Sequence, residues 1–382
     1  MKILFYLPVI TPWWFDKIIT PMLRNLAGDA EVSELHLMVA QPWRNTGLHD
    51  HDLILLAGMA KLQVHWVDQA WGENAAQDFR LDASAVPGLL DRIVAINPDL
   101  TLARSADVAT PRSFPGRVRF ITEGGAPPYR TDQRWIVLDE EPFRIGLLPG
   151  QAHAMAAQCI AFADTLPVPQ RSVDDARARL LLPDDRPVLA VPLHYEHDEN
   201  FYLCHAAFPD GMAQIQALLD HTDPDVLLAV TDHPLNRLHV DRSALKAALA
   251  ELPERIVLCD QDDATPLLTA CADAVVTDLS KAWSLAAFNG TPIVHMGRQP
   301  LAPWLHAVPD LAELQHAGPW QDLPVADPAS VKLWFGWHLG ARLLDPRFVT
   351  LPALLRRFDD RPEDEDFQRN LAALERQAMV PA

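Results

Sequence analysis

The chain has 382 residues, room for two α/β cores, and its 49% hydrophobic and 22% charged content is that of a folded globular protein. Its formal net charge of -19 argues against a duplex nucleic-acid partner, which needs a basic footprint. Cys159, Cys204, Cys259 and Cys271 match no zinc spacing, and no apolar run is long enough to span a bilayer.

In chain order, the run Ile3–Leu7, broken by Pro8 and Pro12, predicts a first strand rather than a signal peptide. Glu34–Val39, Lys61–Val67, Asp99–Ala103 and Val118–Thr122 repeat the strand pattern. Phe15–Leu26 and Val86–Ile96 between them carry helical spacing. Gly150–Ala163 reads as a helix, and the proline-bearing stretch Thr165–Arg186 as a domain boundary near 165–185. The pattern then restarts. Val188–Pro192, Val226–Thr231, Ile256–Cys259, Ala274–Thr277 and Pro292–His295 are strands, and Met212–Leu219, Arg242–Glu251, Thr265–Ala272 and Ser284–Phe288 are helices. Thr265-Pro266 reads as a helix start with a hydroxyl cap. Ser330–Arg357 is helical again. The expected fold class is α/β, with two Rossmann-like doubly wound domains facing a central cleft. The domains run over residues 1–165 and 166–330, and helices over 331–382 cross back to the first. Such a pair suits an enzyme joining two substrates, and equally a two-lobed binding protein.

Four segments carry chemistry. Ala229–Thr231 runs through Asp232 into His233-Pro234, which sets a histidine at the C-terminal edge of a strand, able to donate to a phosphate oxygen or a sugar carboxylate. Ala274–Thr277 leads through Asp278 and Ser280 into a short helix and then Gly290-Thr291-Pro292. Ser280 at a helix N-terminus both caps it and makes an anion site, with Lys281 beside it and Ser284 one turn on. His194-Tyr195-Glu196-His197-Asp198-Glu199 follows the first strand of the second half. It supplies carboxylates suited to base or nucleophile chemistry at an anomeric carbon. Val118–Thr122 ends in Glu123-Gly124-Gly125, an acid at a strand edge followed by a pair of glycines that lets the backbone turn or approach a ligand. Trp13-Trp14 reads either as a sugar platform or as core packing.

In this order the four segments resemble bacterial capsule and lipopolysaccharide sugar transferases of the GT-B type, especially retaining β-Kdo transferases that use CMP-Kdo. The resemblance covers roughly residues 115–295 and the terminal helical region. Three positions depart from it: His194 stands where the family carries Gln, Leu285 where relatives often carry Glu, and Thr122 where a second acid would precede Glu123. The resemblance implies that His233-Pro234 and Ser280 hold the CMP phosphate, with Lys281, Ser284, His194 and Gly124 assisting. It further implies Asp198 as nucleophile, Glu196 as the second choice, and Glu123 as the group that positions or deprotonates the acceptor hydroxyl. The implied partners are a nucleotide-sugar donor and a glycan or glycolipid acceptor, without nucleic acid. No metal or cofactor is expected. The expected location is the cytoplasm, with peripheral contact to the inner membrane as its membrane-associated form. A transferase using a UDP-, GDP- or CDP-linked donor, and a non-catalytic sugar- or nucleotide-binding protein, stay open as alternatives.

Overall fold

The computed structural model describes residues 1–40, 47–67, 82–167, 173–197, 200–309 and 322–379. The chain forms two compact units. The first comprises Met1–Gly125, Thr131–Pro142 and Trp337–Val380; the second is made chiefly of Ala126–Arg130 and Phe143–Gly336. The changeover at Pro142–Phe143 lies before the helix Ala156–Thr165, whereas the proline content placed the boundary after it. That helix packs in the second unit against Pro328–Phe335.

The first unit holds a six-stranded sheet of β1 (Lys2–Leu7), β2 (Glu34–Ala40), β3 (Leu62–Val67), β4 (Leu100–Ala103), β5 (Arg117–Glu123) and β6 (Ile136–Asp139). Their order is β3-β2-β1-β4-β5-β6. All neighbours are parallel except β5 and β6, where Glu123 faces Ile136. The strands read as nearly unbroken apolar runs because both faces are covered. On one face Ile3, Phe5 and Leu7 meet the helix Thr20–Ala27 and the terminal helix Leu351–Phe358. On the other, Leu4 and Tyr6 meet Leu89, Ile93 and Phe114. The last helix, Asp364–Ala378, is fixed by Asp366, whose fully buried carboxylate takes hydrogen bonds from Arg356 and Arg369 and an ion pair from Arg357 at 2.8 Å. Burial opposes ionisation there, but these arginines prevail and hold the carboxyl well below its ordinary range.

The second unit holds a five-stranded parallel sheet of β7 (Val188–Pro192), β8 (Leu227–Thr231), β9 (Ile256–Leu258), β10 (Ala274–Thr277) and β11 (Ile293–His295), in the order β11-β10-β7-β8-β9. Read from β9, this repeats the arrangement of the first five strands of the other sheet. Each is the doubly wound order that begins at a central strand, fills one side, then crosses to the other. The expected α/β class with two Rossmann-like sheets is what the structure contains. In each sheet the direction of winding reverses beside the first strand, between β1 and β4 and between β7 and β10. The crevice outside the carboxyl ends of such a strand pair is where open α/β sheets bind ligands.

Gly336 packs directly against backbone in the second unit. A Cβ there would stand 1.9 Å from the Cys159 carbonyl oxygen, so no side chain fits between this residue and the helix Ala156–Thr165. Gly336→Ala is expected to lower unfolding free energy by about 1–3 kcal/mol through overpacking, read from the urea midpoint at unchanged slope.

Candidate functional site in the second unit

The reversal point between β7 and β10 carries the chemistry. Just past β7, His194 is 2% exposed, and neither ring nitrogen has a hydrogen-bond partner among the described residues. Its Nδ1 lies 3.5 Å from Oδ2 of Asp278, just past β10 and equally buried. Asp278 accepts backbone N–H bonds from Ala207 at 3.0 Å and Phe208 at 3.5 Å. Burial raises its carboxyl above the usual range, against the lowering effect of those amides and of His194.

On the other side of β7, β8 ends in Thr231 and the chain passes through Asp232 to His233. The Leu235 N–H donates to His233 Nδ1 at 3.2 Å. That bond fixes the neutral tautomer: Nδ1 accepts, so Nε2 bears the proton and is the donor. Burial lowers the His233 pKa, with His194 and Lys281 adding to the effect and Asp232 opposing it. His194, His233 and Lys281 therefore share one electrostatic neighbourhood. Tyr195 lies alongside, its ring centroid 5.5 Å from that of His233 and 5.8 Å from that of His197.

Ser280 stands two residues before the helix Ala282–Asn289, at the N-terminus where the sequence placed it. Its Oγ accepts the Ala282 N–H at 3.3 Å, which leaves its own proton to be donated. Gly290, at φ +69°, ends that helix in the left-handed conformation. Ser284 is placed differently from an anion ligand: it is buried, and its hydroxyl has the carbonyl oxygens of Pro127 and Lys281 as acceptors, both at 3.0 Å. Leu285, on the same helix, is buried. Pro234 is exposed beside His233, and Lys281 is exposed at the helix start. Thr265 does not cap its helix. That helix begins at Ala264, and the Thr265 hydroxyl bonds the Thr231 hydroxyl at 2.8 Å, tying the helix to the end of β8.

Glu196 is enclosed in a polar network. Arg242 donates to both Asp232 oxygens at 2.9 Å and to Glu196 Oε2 at 2.5 Å, with all three side chains less than a tenth exposed. The other Glu196 oxygen accepts the Gly211 N–H at 2.9 Å. Fully buried Asn236 joins the two loops. Its amide nitrogen donates to the His194 carbonyl and to Asp232, and its amide oxygen accepts the Glu196 N–H, each at 2.9 Å. Sequence spacing presents Glu196 as a reacting group; the structure gives both its oxygens to the scaffold. Asp198, the first-choice nucleophile, and Glu199 lie outside the described residues. Among those residues no group of three or more His, Cys, Asp or Glu could hold a metal ion.

The first unit places Glu123 and Gly124 at the end of β5. Glu123 Oε1 lies 3.3 Å from both Nη1 and Nη2 of Arg104, a residue that sequence reasoning passed over. Gly124 has a packing reason: a Cβ would sit 2.6 Å from Leu343 Cδ1 and 2.9 Å from the Trp135 oxygen. Its N–H donates to Trp135 O at 2.8 Å and its carbonyl accepts from His338 Nε2 at 3.2 Å.

No family model and no curated protein matches the chain. Solved structures similar to it include the β-Kdo 2,7-transferase of Thermosulfurimonas dismutans KpsC, at 12% identity over 78% of this chain and 92% of that one, with a TM-score of 0.41. The UDP-GlcNAc 2-epimerase of Methanocaldococcus jannaschii matches at 12% identity over 87% and 98%, with a TM-score of 0.31. The E. coli ADP-heptose heptosyltransferase II matches at 14% over 77% and 84%, with a TM-score of 0.27. These likenesses stay at the level of chain architecture, and the functional reading rests on the chain's own residues.

Removing the cation of the network strands two buried carboxylates. Arg242→Met is expected to destabilise the protein by about 3–5 kcal/mol, whereas Asn236→Ala should remove about 1–3 kcal/mol, both measured by chemical denaturation.

Proposed function

We propose that the chain is a glycosyltransferase whose second unit binds a nucleotide-activated sugar at the β7/β10 crevice, with CMP-Kdo as the donor. The observation that carries this reading is His194. A buried histidine whose ring nitrogens have no hydrogen-bond partner among the described residues, with only the 3.5 Å approach of Asp278 to Nδ1, leaves polar capacity that a ligand at the reversal point can meet. His233 Nε2–H and the Ser280 hydroxyl supply two further donors in the same unit, and the exposed Lys281 ammonium supplies positive charge. In an acidic chain, donors of this kind give an anionic phosphate its local attraction. They stabilise the charge that develops on the leaving phosphate as the glycosidic bond breaks. Asp198 displaces CMP at the anomeric carbon, and the acceptor oxygen then displaces Asp198 from the sugar while Glu123 takes the acceptor proton. The CMP and Kdo part of the proposal draws on the sequence resemblance, with a glycan or glycolipid as acceptor. Among the described residues no helix is long and apolar enough to cross a membrane; residence in the cytoplasm, in peripheral contact with the inner membrane, is part of the same proposal.

One observation favours a binding protein without turnover. Within the crevice's described residues, Glu196, Asp232 and Asp278 are all engaged by the scaffold. Donor hydrolysis separates the two readings, and a thermal-shift series over CMP, UMP, GMP and CDP identifies the nucleotide. His233→Ala is expected to weaken CMP binding by about tenfold to a hundredfold, the loss of a charge-assisted hydrogen bond. Asp198→Ala should keep CMP binding and lose transfer; unchanged turnover in that variant would remove the nucleophile assignment. Because the His233 pKa is lowered in the free protein, a bound phosphate should raise it and CMP binding should take up protons. Affinity should therefore increase as pH falls from the bound-state His233 pKa towards its lower free-protein value, read by calorimetry in buffers of different ionisation enthalpy.

A further inference from the structure

The first unit has its own reversal point, between β1 and β4, and Arg104 stands at it. Arg104 directly follows β4, its backbone N–H donates to the Tyr6 carbonyl of β1 at 2.9 Å, and its side chain is 9% exposed. The guanidinium carbon lies 3.6 Å from the ring centroid of Trp14, a residue of the short helical turn Pro12–Trp14 that follows β1. Trp14 is itself buried, whereas Trp13 is exposed. A planar cation on an aromatic face is held in one plane, so its donors point in fixed directions. Both terminal nitrogens point at the same oxygen of Glu123, at 3.3 Å, and the Glu123 side chain stays 30% exposed. The contact uses one carboxylate oxygen and leaves the acid facing partly to solvent, unlike the enclosed two-oxygen grip of Arg242 on Asp232.

We propose that Arg104 is a positioning residue for Glu123: stacked on Trp14, it orients the carboxylate at the reversal point of the first unit, where that carboxylate meets the acceptor hydroxyl. The proposal rests on the transferase reading for the role of Glu123, but the hold of Arg104 on the acid is testable without it. The proton balance is simple: Glu123 takes the hydroxyl proton as the acceptor oxygen bonds to the sugar, and releases it to water after product leaves. Other charged or titratable groups near this strand end are Asp139 on β6, which is bonded by Thr122 and Arg342, and His338, bonded to the Gly124 carbonyl.

The test compares wild type with Arg104→Gln, Arg104→Lys and Trp14→Phe. Carbodiimide coupling at Glu123, followed by peptide mass spectrometry across pH, reads the protonated acid directly. In Arg104→Gln the pH of half-modification should move up by about one unit or more, because the opposite charge is gone. Lys should restore most of that shift by charge alone, and Trp14→Phe should leave it nearly unchanged. Transfer gives the second reading. In Arg104→Gln, turnover should fall by about tenfold to a hundredfold at unchanged donor KM, and the acidic limb of the pH profile should move in the same direction as the coupling midpoint. Lys, lacking the planar fork, should recover turnover only in part. An unchanged coupling midpoint in Arg104→Gln overturns the proposal. So does a shifted midpoint with wild-type turnover. If the Gln variant fails to fold, wild-type turnover in both Arg104→Lys and Trp14→Phe overturns it instead. A wild-type protein that binds CMP and transfers nothing defeats the transferase reading, while the coupling midpoints still report whether Arg104 holds the acid.

Discussion

The geometry of the second unit's crevice depends on one buried cation. Arg242 sits at the start of the helix Ser243–Ala250 and reaches Asp232 after β8 and Glu196 after β7. The Gly211 N–H, at the start of a third element, joins through Glu196. Two carboxylates and one guanidinium are costly to desolvate, and a packed apolar cluster would stabilise the fold as well or better. The network's contribution is to fix two loops against each other. With Asn236 bridging from the His194 carbonyl to Asp232, the backbones that present His194 and His233 cannot move independently. The unsatisfied ring nitrogens of His194 sit beside a network in which Arg242, Glu196, Asp232 and Asn236 all find partners. That contrast is the ground for proposing a ligand there.

The two sheets solve the same problem with different side chains. Each reverses its winding beside its first strand, and each carries a positive or proton-donating group there. In one sheet it is Arg104 stacked on Trp14; in the other it is His194, with His233 following β8 on the other side of β7. For a chain of net charge -19, it is through such local groups that the proposed reading brings in an anion or a polarised hydroxyl.

Strand positions were readable because parallel strands covered on both faces are short unbroken apolar runs. Val188–Pro192 and Ala274–Thr277 are such runs, bounded as the sequence suggests. β6 escaped notice because four residues after a sharp turn, paired antiparallel at a sheet edge, carry little pattern. At the site, residue types were legible and partners were not. Glu196 reads as a reacting acid until Arg242, 46 residues later, is seen to hold it. Ser284 lies at a helical spacing from Ser280 that suggests a shared ligand, but its hydroxyl faces the carbonyl of Pro127, 157 residues earlier. Arg104 could have been found by the signal that flagged Glu123 and His233, a charged or titratable residue at the end of an apolar strand run, here just after Leu100–Ala103. Its role needed Trp14 and Glu123 in space.

The central claim is that the β7/β10 crevice is a phosphate-bearing ligand's site centred on two histidines. Histidine-labelled protein titrated with CMP, followed by ring nitrogen NMR, tests it most directly. The account predicts that free His233 shows the Nε2–H tautomer, and that CMP shifts the ring signals of His194 and His233 together. Saturating CMP that leaves both crevice histidines unmoved, or a free His233 protonated on Nδ1, would contradict it.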